Sequence, residues 1–285
     1  MSIVKETLLH LLRRKWKLIL VVGLFGTALV ATTYAYDVAG IIEAQNAALE
    51  AMGDGPVPMS QEEAEERGEA LARGMVVRAL FAVLSFFFSL GIVLVGMLMP
   101  SGVVANERSS GAIMLWAQHP MPLNRFYLHR YAGIQLANLT AQALFGVAAV
   151  LAVLPAGEFP ATETGVFVRI CLLGAMACAV SFATTALGIR RAAFLALAYY
   201  AASSLAATII TVGTQFGATG TAKMILDALP FVIFPEAAIG DFVNGFESGV
   251  AWDWKATGMV LYHFALWTGI AWLGLIRIER KPLRL

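Results

Sequence analysis

Glu107, Arg108 and Gly111, set between two long apolar runs, are the residues whose types and spacing could do work. A carboxylate beside a guanidinium can make charge-assisted hydrogen bonds to a neighbouring helix or to another protein. The segment around them, Asn106 to Pro120, carries Ala112, Ile113, Leu115, Trp116 and Ala117 as a broad apolar face. Asn106 suits an N-cap, Glu107 complements the dipole of a first helical turn, and Pro120 disfavours helical geometry at His119. The prediction is a short amphipathic helix that either lies on a membrane surface or docks a soluble partner, and periodicity alone does not choose.

A second set of polar residues interrupts the apolar runs themselves. Gln135, Asn138 and Gln142 are offset by three and four residues and share one helical face, as do Ser181, Thr184 and Thr185. Such amides and hydroxyls either bond between helices or line a polar route or a partner subunit, and both readings of Gln135, Asn138 and Gln142 stay open here.

Other chemistry is conspicuously sparse. Arg78 and Arg169 fall at the edges of apolar runs, where they can snorkel to the interface, and His263 stands alone inside one. Ion-coupled carriers keep intramembrane carboxylates or histidine relays, so energy for any transport is expected from elsewhere. The chain has no Gly-Lys pair, which a phosphate-binding G-x-x-x-x-G-K-[ST] loop requires, so an ATPase would be a separate chain. Glu62 to Arg67 spells E-E-x-x-x-R, the pattern of an intramembrane peptidase, but it lies in a water-exposed acidic stretch without histidine on that side. Met52, Met59 and Met75 show no repeat that would converge soft ligands on a metal. Cys171 and Cys178, seven residues apart on one predicted helix, are separated by roughly 10 Å, beyond disulfide reach. Neither a metal nor a cofactor is expected in this chain.

The elements that must position these residues follow from hydropathy. Of 285 residues, 59% are hydrophobic and only 14% charged, against about 25% charged in soluble domains. A net charge of +1 leaves no basic footprint for nucleic acid. A membrane-crossing helix needs about 20 mostly apolar residues, and six stretches qualify: 18–36, 75–99, 131–154, 170–189, 192–212 and 256–276. An even number puts both termini on one side. That side carries 14 of the 20 Lys and Arg residues and only Glu6, Glu107 and Glu279 among 19 acids, which predicts a cytoplasmic location for both termini and an acidic outer face.

Residues 1–17 place Val4, Leu8, Leu11 and Leu12 on one face, predicting a separate amphipathic helix on the inner leaflet ending in Trp16 and a basic cluster. Residues 37–74 form an acidic outer insert; a turn at Gly53 to Pro58 and the capping-box spacing of Ser60 and Glu63 predict two helical pieces there. Residues 213–255 are semi-apolar around Leu229 to Pro235, too short to cross a bilayer, which predicts a re-entrant or interfacial outer element. Trp252 and Trp254 then mark the outer interface.

The stretch from residue 100 to 130 resembles the inner loop of type 2 ATP-binding-cassette (ABC) transporter permeases. Glu107, Arg108 and Gly111, the apolar helix to Trp116, Pro120, Arg125, and Arg130 ahead of Gly133 match that pattern in order. An Arg stands at position 130 where the family often has Lys, and the first outer loop is unusually acidic. The resemblance extends over residues 1–285 as one permease domain and implies the membrane subunit of an exporter rather than an enzyme. It further implies that residues 100–130 form a cytoplasmic coupling loop, with Glu107, Arg108 and Gly111 orienting or contacting the motor and Ile113, Leu115 and Trp116 filling the interface. The implied partners are a dimer of ATP-binding subunits, which would hold ATP and Mg, and a second permease copy or homologous chain, alongside membrane lipids. The acidic insert is a candidate contact for an extracytoplasmic partner. Two other readings compete: a membrane scaffold or assembly factor, and an intramembrane enzyme, which would have only His263 to work with.

Overall fold

Apolar runs of membrane-crossing length become helices because lipid offers no partner for backbone N–H and C=O groups, which must bond within the segment. A computed structural model describes residues 3–36, 40, 61–114, 118, 121–153, 160–217, 219–246 and 251–280. Among them the order is α1 (Ile3–Tyr36), α2 (Gln61–Leu98), α3 (Ala105–Ser109), α4 (Leu123–Val153), α5 (Pro160–Ala186) and α6 (Ala192–Gln215). It continues through α7 (Gly220–Ala228), a 3-10 turn (Leu229–Phe231), α8 (Glu236–Asn244) and α9 (Trp254–Arg280). Six of these, α1, α2, α4, α5, α6 and α9, are long and apolar enough to cross a membrane.

One expectation about a helix break is corrected. The first 17 residues are not a separate helix, because α1 runs unbroken for 34 residues, roughly 50 Å against a hydrocarbon core of about 30 Å. Its N-terminal turns pack on α4, where a Cβ on Gly133 would stand 2.8 Å from the Val4 carbonyl oxygen; that close backbone contact holds the end of α1 against the bundle. The acidic run from Gln61 continues into the second span as one 38-residue helix. The expected Gly/Pro turn and the Ser60 cap lie outside the described residues.

α5 occupies the centre, packed against α2, α4, α6, α8 and α9. Its second half is built from Gly174, Ala175, Ala177, Cys178, Ala179, Ser181 and Ala183, all buried, and small residues let neighbouring backbones close in. A Cβ on Gly96 of α2 would stand 2.5 Å from the Gly174 carbonyl oxygen, and one on Gly274 of α9 would stand 2.8 Å from that of Ala186. Cys171 and Cys178 are both free thiols.

Among the described residues of 213–255 are two nine-residue helices, α7 and α8, each about 13.5 Å long and unable to span a bilayer. α8 docks on α5 and α9 with Ile239 and Val243 buried, whereas α7 buries no residue. The connection is stitched to its neighbours by Tyr199 Oη donating to the Val232 carbonyl (2.8 Å), the Phe234 N–H donating to Ser203 Oγ (2.8 Å), and His263 Nε2 contacting the Pro230 carbonyl (3.0 Å). His263 therefore bonds across elements. Asp253 caps α9 by accepting from the N–H groups of Lys255 and Ala256, and Trp252 packs its ring on Phe242 at 5.2 Å.

Candidate functional site

The turn after α2 is tight because Gly102 takes φ +79°, and a Cβ there would lie 2.3 Å from Asn106 Nδ2. α3 then begins with Val104 at its N-cap and no side-chain cap, so Asn106 sits inside the helix and not at its start. Gly111 follows the C-cap Ser110 at φ +76°, the left-handed geometry that ends a helix and that a residue with a Cβ adopts at a cost. Its place in the motif thus has a backbone reason.

Glu107 is used within the chain. Its Oε2 accepts from Tyr127 Oη at 2.8 Å and its Oε1 pairs with Arg130 Nη1, both on α4. Arg130 lies in turn over the Phe126 and Tyr127 rings, 5.7 and 5.9 Å from their centroids. The two charges are mostly buried, with 16% and 20% of their side chains exposed, and losing one partner of such a pair costs about 1–3 kcal/mol. On the other side, the Ala105 N–H donates to Thr185 Oγ1 of α5 at 3.2 Å. Arg108 reaches the turn after α5, where a Cβ on Gly188 would meet its Nη1 at 3.4 Å. That turn closes by a Schellman pattern, with Gly188 N–H to Thr185 O and Ile189 N–H to Thr184 O. The short helix is therefore fastened to two spans at once.

The predicted interface residues divide. Ile113 is 0% exposed and belongs to the core cluster, so it braces the segment from beneath. Leu115, Trp116 and Pro120 lie outside the described residues. The outward surface consists of Asn106, Ser109, Ser110, Gly111 and Met114, the last 41% exposed. No local pattern marks Met114 as exposed, because its position on the helical wheel depends on where Gly111 bends the chain.

The amide stripe lies between helices. Gln142 Nε2 donates to the Ile92 carbonyl of α2 at 3.0 Å and to Asn138 Oδ1 at 3.2 Å, and both residues are fully buried. Gln135 Nε2 donates to Tyr131 Oη at 2.7 Å and to the Ala175 carbonyl of α5 at 3.2 Å. The hydroxyl set behaves similarly: Ser181 Oγ donates to the Met97 carbonyl of α2 at 2.6 Å, and Thr185 receives α3. Glu107 and the amides are not brought together in one cavity. Among the described residues no group of His, Cys, Asp and Glu could hold a metal ion.

Comparison with known proteins finds no matching family model, no matching curated protein and no matching solved structure. Geometry and residue pattern alone carry the functional reading.

Proposed function

We propose that the chain is the membrane-spanning permease subunit of an ABC exporter of type 2 in the cytoplasmic membrane, with both termini in the cytoplasm. In this reading ATP and Mg bind a dimer of separate ATP-binding subunits, and α3 with the residues after it is the coupling element. The observation that carries it is the double fastening of α3, to α4 through Glu107, Tyr127 and Arg130 and to α5 through Ala105 and Thr185. A push on the outward surface at Ser109 and Met114 would move two spans together, because packed interfaces shift as units and do not deform continuously.

Exporters of this class need two permease halves, and the chain has a face to offer. Phe194, Ala201, Leu205, Thr208 and Val212 fall on one stripe of α6 and are all exposed; a second copy or a homologous permease covers it. The excess of basic residues at the end that bears the termini supports the orientation.

The test separates docking from transmission. Reconstituted with its ATPase, Met114→Glu is expected to weaken subunit association, whereas Glu107→Gln leaves association intact and lowers cargo-coupled hydrolysis by about 5- to 150-fold, the range of a coupling free energy of 1–3 kcal/mol. Full coupled hydrolysis in both variants would refute the coupling role of α3.

A further inference from the structure

Beside α3, on the side that faces α1, lies a cavity of about 270 Å3. Thr7, His10, Leu11 and Arg14 line it from one face of α1, at offsets of three, four and seven, with Lys15 adjoining. Ser101, Asn106 and Ser110 supply polar groups from the opposite wall, and Arg130 and Glu107 close the back. Among the described residues of the lining Glu107 is the only carboxylate, and it is already paired with Arg130. Arg14 and Lys15 therefore bring positive charge that no acid of the wall balances.

We infer that this cavity binds the phosphate group of an anionic ligand, supplied either by the headgroup of an anionic phospholipid or by free phosphate. The volume falls below the ~300–1,000 Å3 of pockets that enclose drug-sized molecules, which suits a headgroup and not a whole amphiphile. The Arg14 guanidinium, the Lys15 ammonium and the Asn106 amide supply donors that match the acceptor-only surface of a phosphate diester, while the Ser101 and Ser110 hydroxyls already donate to the Leu98 and Glu107 carbonyls. The cavity opens next to the stretch of α1 where the chain passes from charged to apolar residues, with Leu18 half-buried and Val21 exposed four and seven residues beyond Arg14 on the same face. A lipid whose phosphate sat in the cavity would lay its tails along that surface. The site rests on the cavity and its charges and requires neither an ATPase nor a second permease.

Arg13 and Lys17 provide the control, since they carry the same charge at the same depth on α1 but do not line the cavity. The full chain is placed in nanodiscs of phosphatidylcholine containing phosphatidylglycerol, and lipid retained on release is counted by native mass spectrometry. One phosphatidylglycerol is expected to remain bound in preference to phosphatidylcholine. The double variant Arg14→Gln/Lys15→Gln is expected to lose about tenfold or more in affinity, the cost of removing charge-assisted hydrogen bonds, while Arg13→Gln/Lys17→Gln stays within about twofold. His10→Glu, an exposed substitution that spares folding, places a negative charge at the wall and is expected to weaken retention as well. Displacement of phosphatidylglycerol by millimolar inorganic phosphate would assign the cavity to phosphate from either source; retention against phosphate would assign it to the lipid headgroup. Equal loss in the two double variants, or equal retention of the two lipids, would overturn the site and leave a diffuse basic surface in its place.

Discussion

α5 and α6 follow one another in the chain, are both apolar enough to cross a membrane, and end in opposite environments. In the most apolar window of α5, 67% of residues are buried within the chain; in that of α6 the share is 11%. α6 is at least as rich in alanine and serine as α5, so the contrast follows where the small residues meet a neighbouring backbone, as Gly174 meets Gly96, and not how many there are. α5 presents glycine, alanine, serine and cysteine to its neighbours, while α6 carries Phe194, Leu205 and Ile209 outward. Inside a membrane a large apolar side chain gains little by leaving lipid for protein, so helices are drawn together by close packing and by polar groups that find partners. The centre of this bundle belongs to the helix that lets others approach.

The largest effect is expected from Gly174→Leu. A Cβ at this position already meets the Gln142 side chain at 2.4 Å, and overpacking a tight contact costs about 1–3 kcal/mol or more. The variant should melt well below the parent in detergent or fail to purify as a single species; an unchanged melting curve would remove small-residue packing as the reason α5 is central. A smaller loss is expected from Gln142→Leu, which strips the donor from the Ile92 carbonyl and should cost about 0.6–1.7 kcal/mol, as interhelical hydrogen bonds in membranes do. Replacing Gln135, Asn138 and Gln142 together by Leu sharpens this, because normal transport and assembly would leave the amides a purely packing role. The smallest effect is reserved for α6: Leu205→Ala should change the stability of the isolated chain by no more than about 0.5 kcal/mol, while weakening association between copies seen by crosslinking or single-molecule photobleaching. A loss as large as that of Gly174→Leu would contradict the contrast between the two helices.

Much of the architecture is legible in the residues. The six apolar stretches appear as six helices, with ends that extend past the apolar limits where α1, α2 and α4 run on through polar sequence. Hydropathy does not show that extension, because polarity ends an apolar run without ending a helix: Arg13 to Lys17 contains no breaker, and the lone Gly68 does not stop α2. In the candidate site the roles of Glu107 and Gly111 were partly legible. Glu107 could be marked as a charge with work to do, but its partners Tyr127 and Arg130 lie 20 and 23 residues further on, a separation no local pattern encodes. Ile113 takes an interface role only from the family resemblance, and the structure instead buries it in the core just after the turn at Gly111.

The sequence by itself determined that the chain has six helices of membrane-crossing length, that its basic residues gather at the ends of the spans nearest the termini, and that it contains no Gly-Lys pair. These are properties of single segments, set by hydropathy, length and residue type. Tertiary structure decided which helix stands at the centre, that Glu107 ties α3 to α4, and that Arg14 and Lys15 face a cavity with Asn106 and Ser110 across it. Those outcomes depend on how closely two backbones can approach and which polar groups then meet, and in an apolar surround that is a question of shape between helices rather than of hydrophobicity along one.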